Sequence, residues 1–189
     1  MTPLTFQPPP ELTTPRLLLR GLREEDATAL FRMYAEPQSA RFMARAPMLL
    51  VDEMRTKLRI DLEEARRGDA VRWALVEQST GTVVGYLGIF RWSQRNRCAE
   101  VGYVLARESW RRGLMKEALP AAVRFAFEQM KLHRLEALVD PTNLPSVRLL
   151  ESVGLRQEGL LRERGLVSEG TYADALILGL LEQEFRSPG

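Results

Sequence analysis

One short segment of the chain combines residue types that can bind an anionic group. In SWRRGLMKEALP (residues 109–120), two arginines and a glycine stand where a strand-like run ends and a long apolar helix begins. The first amides of a helix lack intrahelical partners, and the helix dipole adds positive charge at the same end. Gly113 lets the backbone approach a ligand, and Arg111 and Arg112 add mobile positive charge. The segment therefore predicts a phosphate site.

The residues around this site indicate which phosphate ligand fits. A nucleotide P-loop has the pattern GxxxxGK[ST], and a dinucleotide-binding turn has three glycines, but residues 109–120 match neither. The segment therefore has no hydroxyl placed to hold a metal ion and no acid placed to bind a ribose. The absence of these two groups from the segment favours a ligand whose diphosphate is bound but not transferred, such as coenzyme A.

The strand before the segment supports a coenzyme site. In CAEVGYVLA (residues 98–106), Gly102 lies inside an apolar strand, where glycine often marks a bulge or a close approach of another backbone. We expect a bulge at Gly102 to splay this strand from the next parallel strand. The gap would leave main-chain amides and carbonyls free to pair with the amide groups of a pantetheine arm, as an added strand does.

Apolar periodicity predicts the elements that position these residues. Helices are predicted at residues 23–36, 52–68, 114–130 and 145–154. Strands are predicted at residues 16–22, 72–78, 82–92, 98–106, 134–140, 155–167 and 171–181. A helical crossover must join the strands at 98–106 and 134–140, so the sheet contains a parallel pair. We expect one α/β domain with a mixed sheet over residues 16–189, preceded by an extended arm at residues 1–15.

Composition argues against several functional classes. The chain of 189 residues has a net charge of only +2, which indicates neither nucleic acid nor an anionic membrane as a partner. Cys98 is the single cysteine, so no intrachain disulfide can form, and we interpret it as core filler. With His133 as the single histidine, we expect no metal site. No apolar run reaches about eighteen residues and no signal segment is visible, so we expect a cytoplasmic protein.

Four blocks of the sequence together resemble a known enzyme family. The blocks are TPRLLLRGLREEDA, AEVGYVLARESWRRGLMKEAL, LHRLEALVDPTNLPSVRLLESVGLRQEG and GTYADALILGL. They are similar to the GCN5-related N-acetyltransferase (GNAT) superfamily and to its ribosomal-protein-alanine N-acetyltransferase-like branch. The family's coenzyme loop, Q/R-x-x-G-x-G/A, maps onto residues 110–115, where Gly113 matches and Trp110 and Met115 depart from the pattern.

The resemblance implies a fold and a reaction. The implied fold is a single-domain, mostly antiparallel mixed sheet with a splayed central parallel pair and flanking helices. The implied reaction moves acetyl from acetyl-CoA to a primary amine, and the branch suggests the terminal amine of a protein or peptide. Two alternatives stay open: a small-molecule amine such as a polyamine, amino acid or aminoglycoside, and a non-catalytic coenzyme A sensor. A monomer and a homodimer are equally compatible with the sequence.

Acetyl transfer to an amine needs a base and an oxyanion donor. An alkyl amine with a pKa of about 8–10 is mostly protonated at neutral pH and must lose a proton. Glu100 lies two residues before Gly102 on the splayed strand, and we predict it to be the general base. The alternative is a strand carboxylate paired with a nearby arginine. The backbone amides of Tyr103 and Val104 are the predicted oxyanion donors.

A second group of candidates follows the next strand. The family's N-x-x-S pattern matches NLPS, which contains Asn143 and Ser146. The resemblance implies that Asn143 bonds the pantetheine arm and that Ser146 bonds the sulfur or acts as an acid; the alternative for both is helix capping. The residues predicted to bind the coenzyme are Tyr103, Val104, Arg111, Arg112, Gly113, Leu114, Met115, Lys116, Asn143 and Ser146.

The acceptor pocket is expected between two segments that flank the predicted sheet. These are residues 36–51 and the closing hairpin at 162–174. Polar side chains in these segments are Arg41, Arg45, Glu163, Tyr172 and Asp174.

Overall fold

A computed structural model describes residues 4–185. The strands are β1 (Leu12–Thr13), β2 (Leu17–Gly21), β3 (Val71–Glu77), β4 (Thr82–Ser93), β5 (Cys98–Leu105), β6 (Arg134–Val139), β7 (Arg156–Ser168) and β8 (Thr171–Leu181). The helices are α1 (Ala27–Ala35), α2 (Pro37–Phe42), α3 (Val51–Arg67), α4 (Leu114–Glu128) and α5 (Leu144–Ser152). Every helix and strand predicted from periodicity is present, and the short α2 and β1 are additional.

The strands form one mixed sheet of eight strands in the order β1-β2-β3-β4-β5-β6-β8-β7. All neighbouring strands are antiparallel except β5 and β6, which α4 connects as a crossover. This arrangement confirms the predicted α/β fold with a single parallel pair at its centre.

Helices cover the two faces of the sheet and bury two apolar clusters. On one face, α4 and α5 pack against the centre of the sheet through side chains such as Leu114, Leu119 and Leu150. On the other face, α1 and α3 pack through Leu30, Met54 and other residues that include Tyr86 and Val104 of the sheet. Among the helices in the described part of the chain, none combines the length and the apolarity that crossing a membrane requires.

The segment before β2 packs against the domain. The Phe6 ring stacks on Trp92 with a centroid separation of 5.9 Å, and the Trp73 indole donates to the Pro10 carbonyl at 2.9 Å. The short strand β1 then pairs with β2. The predicted arm is thus extended but docked, and the first three residues lie outside the described range.

The parallel pair β5–β6 opens into a gap after three residue pairs. Cys98, Ala99 and Glu100 pair with Arg134, Leu135 and Glu136, and beyond these pairs the two strands diverge. Each strand keeps its antiparallel partner on the other side, because β5 stays paired with β4 to Leu105 and β6 with β8 to Val139. The predicted splay is therefore confirmed.

The predicted cause of the splay is wrong. Gly102 pairs in register with Gly88 of β4, and the irregularity in this ladder lies between Phe90 and Ser93 of β4. A Cβ atom at Gly102 would lie 3.1 Å from the Phe90 ring. Glycine at this position therefore makes room for an aromatic ring that covers β5, instead of marking a bulge.

Candidate active site

The edge of β5 that faces the gap presents main-chain groups of alternate residues. The Ala106 amide donates to the Val84 carbonyl of β4 at 2.9 Å, which fixes the direction of every amide along β5. By alternation, the Val104 amide belongs to the ladder with β4, opposite Tyr86, whereas the amides of Tyr103 and Leu105 point into the gap. Of the two amides predicted to face a ligand, only that of Tyr103 does so.

The loop after β5 is anchored to this edge by Trp110. The Trp110 indole donates to the Leu105 carbonyl at 2.8 Å, and the Arg107 guanidinium stacks 4.4 Å above the indole ring. Arg111 and Gly113 then adopt left-handed backbone conformations, with φ of 59° and 78°. The departure from the family pattern at Trp110 therefore supplies a structural anchor for the loop.

The loop delivers the first amides of α4 to the open end of the gap. Gly113 is the N-cap residue, and the side chains of Leu114 and Met115 are buried in the core. These two residues can therefore contact a ligand only through their backbone amides, which have no intrahelical partners. The Lys116 amide donates to the Gly113 carbonyl at 3.1 Å, so only the exposed ammonium of Lys116 can reach a ligand.

The two arginines of the loop differ in their surroundings. The Arg112 guanidinium forms an ion pair with Glu77 at the end of β3. Arg111 is exposed at the rim of the loop. Because Arg112 is held by Glu77, the mobile positive charge predicted for both arginines remains only at Arg111. The exposed Lys116 adds a second mobile charge.

On the opposite side of the gap, α5 begins with the predicted Asn143 and Ser146. The Asn143 side-chain oxygen accepts from the Ser146 amide at 3.3 Å, which is the geometry of a helix N-cap. Asn143 therefore caps α5, and its side-chain NH₂ group is a further donor beside the gap.

The hydroxyl groups of Tyr103 and Ser146 form a hydrogen bond of 2.8 Å that joins β5 to α5. Burial raises the pKa of Tyr103 to about 12, although the bond to Ser146 opposes this shift. The phenol is thus protonated at neutral pH and can donate a proton. Sequence analysis selected Tyr103 for its amide and missed this role of its side chain, because the partner is 43 residues away in the chain.

Glu100 lies on the other face of β5. It shares this face with Val104, which packs against the α1–α3 side, whereas Tyr103 packs on the α4–α5 side. A cavity of about 180 Å³ opens above Glu100. The cavity is lined by Arg91, Cys98, Ala99, Glu100, Glu136, Leu138, Leu161, Arg164 and Ile177.

The Glu100 carboxylate is largely buried and accepts a hydrogen bond of 2.8 Å from Arg91. Burial raises the pKa of Glu100, and the attraction of Arg91 and Arg164 only partly opposes this effect. Arg91 adopts a left-handed conformation with φ of 51° at the irregular end of β4, which turns its side chain towards Glu100. The sequence left open a base role and an arginine ion pair, and the structure shows that the ion pair exists.

A second carboxylate faces the same cavity. Glu136 is the register partner of Glu100 on β6, at the last pair before the strands diverge. Arg134 holds Glu136 with a hydrogen bond of 2.6 Å and reaches Glu158 of β7 at 2.8 Å. The negative charge of Glu136 also contributes to the raised pKa of Glu100.

The two segments expected to wall the acceptor pocket do meet. A Cβ atom at Gly165 of the hairpin would lie 2.7 Å from the Ala44 Cβ atom, so the segments are in direct contact. Three of the polar residues expected there have partners within the protein: Arg45 stacks 5.3 Å from the Tyr34 ring, and Asp174 accepts from the Glu163 amide at 2.8 Å. Arg41 and Tyr172 are exposed. The cavity is lined by the charged residues Arg91, Glu136 and Arg164, of which Arg164 lies in the expected hairpin segment although sequence analysis selected none of the three.

Cys98 is half-buried and lines the cavity, so it is not a pure core residue. Within the described range, no group of three His, Cys, Asp or Glu side chains is arranged to hold a metal ion. The groups that the site presents are two carboxylates, two arginines, the Tyr103–Ser146 pair and main-chain amides.

Comparisons with known proteins agree with this geometry. A family model for the acetyltransferase (GNAT) domain matches residues 16–156. The uncharacterized N-acetyltransferase p20 of Bacillus licheniformis is 33% identical over 174 residues, which cover 92% of this chain and 97% of that protein. The ribosomal protein uS5-alanine N-acetyltransferase of Escherichia coli (strain K12) is 27% identical over 192 residues, covering 96% of this chain and 95% of that protein.

A solved structure shows the same fold. RimJ from Mycobacterium smegmatis, in complex with CoA-disulfide, superposes with a TM-score of 0.79 at 28% identity. The match covers 94% of this chain and 88% of that structure. The resemblance drawn from the four sequence blocks is thereby confirmed, and the chain belongs to the GNAT family of N-acetyltransferases.

Proposed function

We propose that this enzyme transfers acetyl directly from acetyl-CoA to the terminal amine of a protein or peptide. The observation that carries the proposal is the gap between β5 and β6, which has a carboxylate on one face and the Tyr103–Ser146 pair on the other. Thioester and amine would meet inside the gap, approaching from opposite faces of the sheet.

The coenzyme would be held mainly by main-chain groups. The Tyr103 carbonyl and the Leu105 amide face the gap and would pair with the amide groups of the pantetheine arm, as in strand addition. The diphosphate would bind the amides of Gly113, Leu114 and Met115 at the N-terminus of α4. Arg111 and Lys116 would add positive charge at the rim, and Asn143 would donate from the side of α5.

Glu100 would remove the proton from the incoming amine. Its pKa is raised by burial, which brings it closer to neutral pH and makes it a stronger base than an exposed glutamate. The arriving ammonium group would displace Arg91, since both cations compete for the same carboxylate. The amine lone pair would then attack the thioester carbonyl, with the proton retained on Glu100.

The α4–α5 side of the gap would serve the leaving group. The C–S bond would break as the tetrahedral intermediate collapses, and the thiolate would take a proton from the Tyr103–Ser146 pair. The product nitrogen would release its second proton, which restores the proton of this pair, and Glu100 would return the first proton to solvent. The Tyr103 hydroxyl has a pKa of about 12 and stays protonated until the thiolate forms. The Tyr103 amide faces the gap and would donate a hydrogen bond to the oxyanion.

The cavity above Glu100 favours a peptide terminus over a polyamine. Its volume of about 180 Å³ is smaller than the roughly 300–1,000 Å³ of pockets that enclose a drug-sized ligand, so a single terminal residue fits better than an aminoglycoside. Arg91 and Arg164 offset the two carboxylates at its wall, Glu100 and Glu136, so the cavity lacks the acidic excess that would attract an acceptor with several positive charges. The E. coli relative, whose name gives a ribosomal protein as its acceptor, supports the same reading.

A direct screen tests the proposal. Purified enzyme is incubated with acetyl-CoA and a panel of peptides with free or blocked amino termini, spermidine, free amino acids and an aminoglycoside. Free thiol and acetylated product are measured together, with Glu100→Gln as the matched control. We expect turnover with free-amine peptides alone. Turnover restricted to spermidine, amino acids or the aminoglycoside would contradict the peptide assignment, and absence of turnover with tight coenzyme binding would indicate a sensor.

A further inference from the structure

Arg16, the arginine of the TPRLLLR block, is bound to the coenzyme loop. Its guanidinium forms an ion pair with Glu117 and donates to the Arg112 carbonyl at 2.9 Å. The Arg16 backbone amide also donates to Glu117 at 3.2 Å, and the Thr14 hydroxyl donates to the same carboxylate at 3.0 Å. The entry to β2 thus fixes both the loop and the first turn of α4.

Glu117 is an unexpected residue at a site for an anionic ligand. It lies in the first turn of α4, close to the amides that would hold the diphosphate. A carboxylate at this end of a helix interacts well with the dipole, but it repels a second anion placed there. Burial would raise the pKa of Glu117, yet hydrogen bonds from Arg16 and Thr14 lower it overall, so the group is ionised at neutral pH.

The bond from Arg16 to Arg112 also sets the direction of an amide. In a trans peptide, the carbonyl of one residue and the amide of the next point in opposite directions. With the Arg112 carbonyl turned towards Arg16, the Gly113 amide points away from Arg16. The Arg16 guanidinium would lie 3.5 Å from a Cβ atom at Gly113, so it contacts the loop at its N-cap residue.

We infer that Arg16 is a positioning residue for the diphosphate of the coenzyme. It neutralises Glu117 beside the α4 N-terminus and orients the Gly113 amide towards the ligand. Arg16 is still 45% exposed, so its ion pair with Glu117 lies at the surface of the loop. This inference rests on the proposed coenzyme site. It explains how α4 can bind an anionic diphosphate although its first turn contains Glu117.

A double-mutant cycle tests the inference. Coenzyme A affinity is measured by calorimetry for Arg16→Ala, Glu117→Gln and the double variant, and the KM for acetyl-CoA and kcat are determined with an active acceptor. We expect Arg16→Ala to weaken binding by about 5- to 30-fold, because an unpaired Glu117 then repels the diphosphate. Glu117→Gln alone should be near neutral. The double variant should recover a large part of the affinity, and the loss in Arg16→Ala should appear in KM and leave kcat unchanged.

Two controls separate the possible outcomes. Arg55→Ala removes a comparable arginine–aspartate pair on α3, away from the loop, and should leave affinity unchanged. Gly113→Glu tests the coenzyme site itself. If Gly113→Glu abolishes binding while Arg16→Ala does not weaken it, the role of Arg16 is contradicted. A double variant as weak as Arg16→Ala contradicts the neutralisation of Glu117. If Gly113→Glu also binds normally, the proposed site fails.

Discussion

Tyr103 and Ser146 place their hydroxyl oxygens 2.8 Å apart, and this bond joins β5 to the helix that follows β6. Tyr103 belongs to β5, whose main-chain edge would hold the pantetheine arm, and Ser146 belongs to the first turn of α5. Because both groups can donate or accept, the pair can pass a proton to a thiolate formed between them and Glu100. The same strand would therefore carry the proposed proton donor on one face and the proposed base on the other.

Replacing Tyr103 with phenylalanine tests this proton transfer. Tyr103→Phe keeps the ring that packs on the α4–α5 side and removes only the hydroxyl. We expect kcat to fall by about 10- to 100-fold with little change in coenzyme affinity, since acid catalysis typically contributes about 10²–10⁴-fold. Steady-state kinetics measures this, with Tyr172→Phe on the exposed hairpin as control. An unchanged kcat would leave Ser146 or water as the proton source.

Gly113→Glu tests the diphosphate site. A carboxylate at the N-cap of α4 would occupy the space that the diphosphate needs and repel it, so we expect coenzyme A binding to be lost in calorimetry. The matched control is Gly81→Glu in the β3–β4 turn, where φ is 69° and a Cβ atom meets nothing within 4 Å. Both variants carry the same backbone strain, so loss of binding in both would point to misfolding instead of a lost site.

Trp110→Phe tests the anchor of the coenzyme loop. The change removes the bond from the indole to the Leu105 carbonyl and keeps an aromatic ring beneath Arg107. A typical hydrogen bond contributes about 1 kcal/mol, so we expect the KM for acetyl-CoA to rise by about fivefold. Thermal melting of the same variant serves as the control for folding. A normal KM would mean that the loop keeps its shape without this bond.

The pH dependence of kcat/KM tests the assignment of the base. Glu100 must be ionised to accept a proton, so activity is present above its folded-state pKa and is lost as the pH falls through it. Burial raises this pKa and Arg91 lowers it in part. We therefore expect Arg91→Gln to move the acidic limb of the profile to higher pH.

Glu100→Gln should remove that limb altogether. We expect kcat at neutral pH to fall by about 100-fold or more. The deficit should shrink at high pH, where the amine is already deprotonated. Arg95→Gln, at an exposed arginine in the β4–β5 turn, changes the net charge as Arg91→Gln does and is the control for that variant. A loss that does not vary with pH would assign Glu100 a structural role.

The regular elements were predictable because their signals are local. Period-two and period-3.6 apolar patterns predicted the main strands and helices, and glycine marked the ends of α3 and α5. Gly68 and Gly154 both adopt the left-handed conformation expected after a helix, with φ of 77° and 98°. The parallel pair followed from the length of the connection between β5 and β6.

The details of the site depend on contacts between distant segments, and these have no local signal. The gap was expected from Gly102, but that glycine accommodates Phe90 of a neighbouring strand. The Val104 amide points towards β4 because of the register between β4 and β5, and the sequence of β5 alone does not determine this register. Arg91 reaches Glu100 beside the irregularity of β4, and Arg164 lies on β7, the edge strand that follows β8 in the sheet order.

A crystal structure of the enzyme with acetyl-CoA tests the central claim most directly. We expect the pantetheine arm to lie between β5 and β6, bonded to the Leu105 amide, with the thioester oxygen facing the Tyr103 amide. The diphosphate should then lie on the amides at Gly113–Met115, and the thioester between Glu100 and the Tyr103 hydroxyl. A closed gap, or a coenzyme bound elsewhere on the domain, would contradict the account.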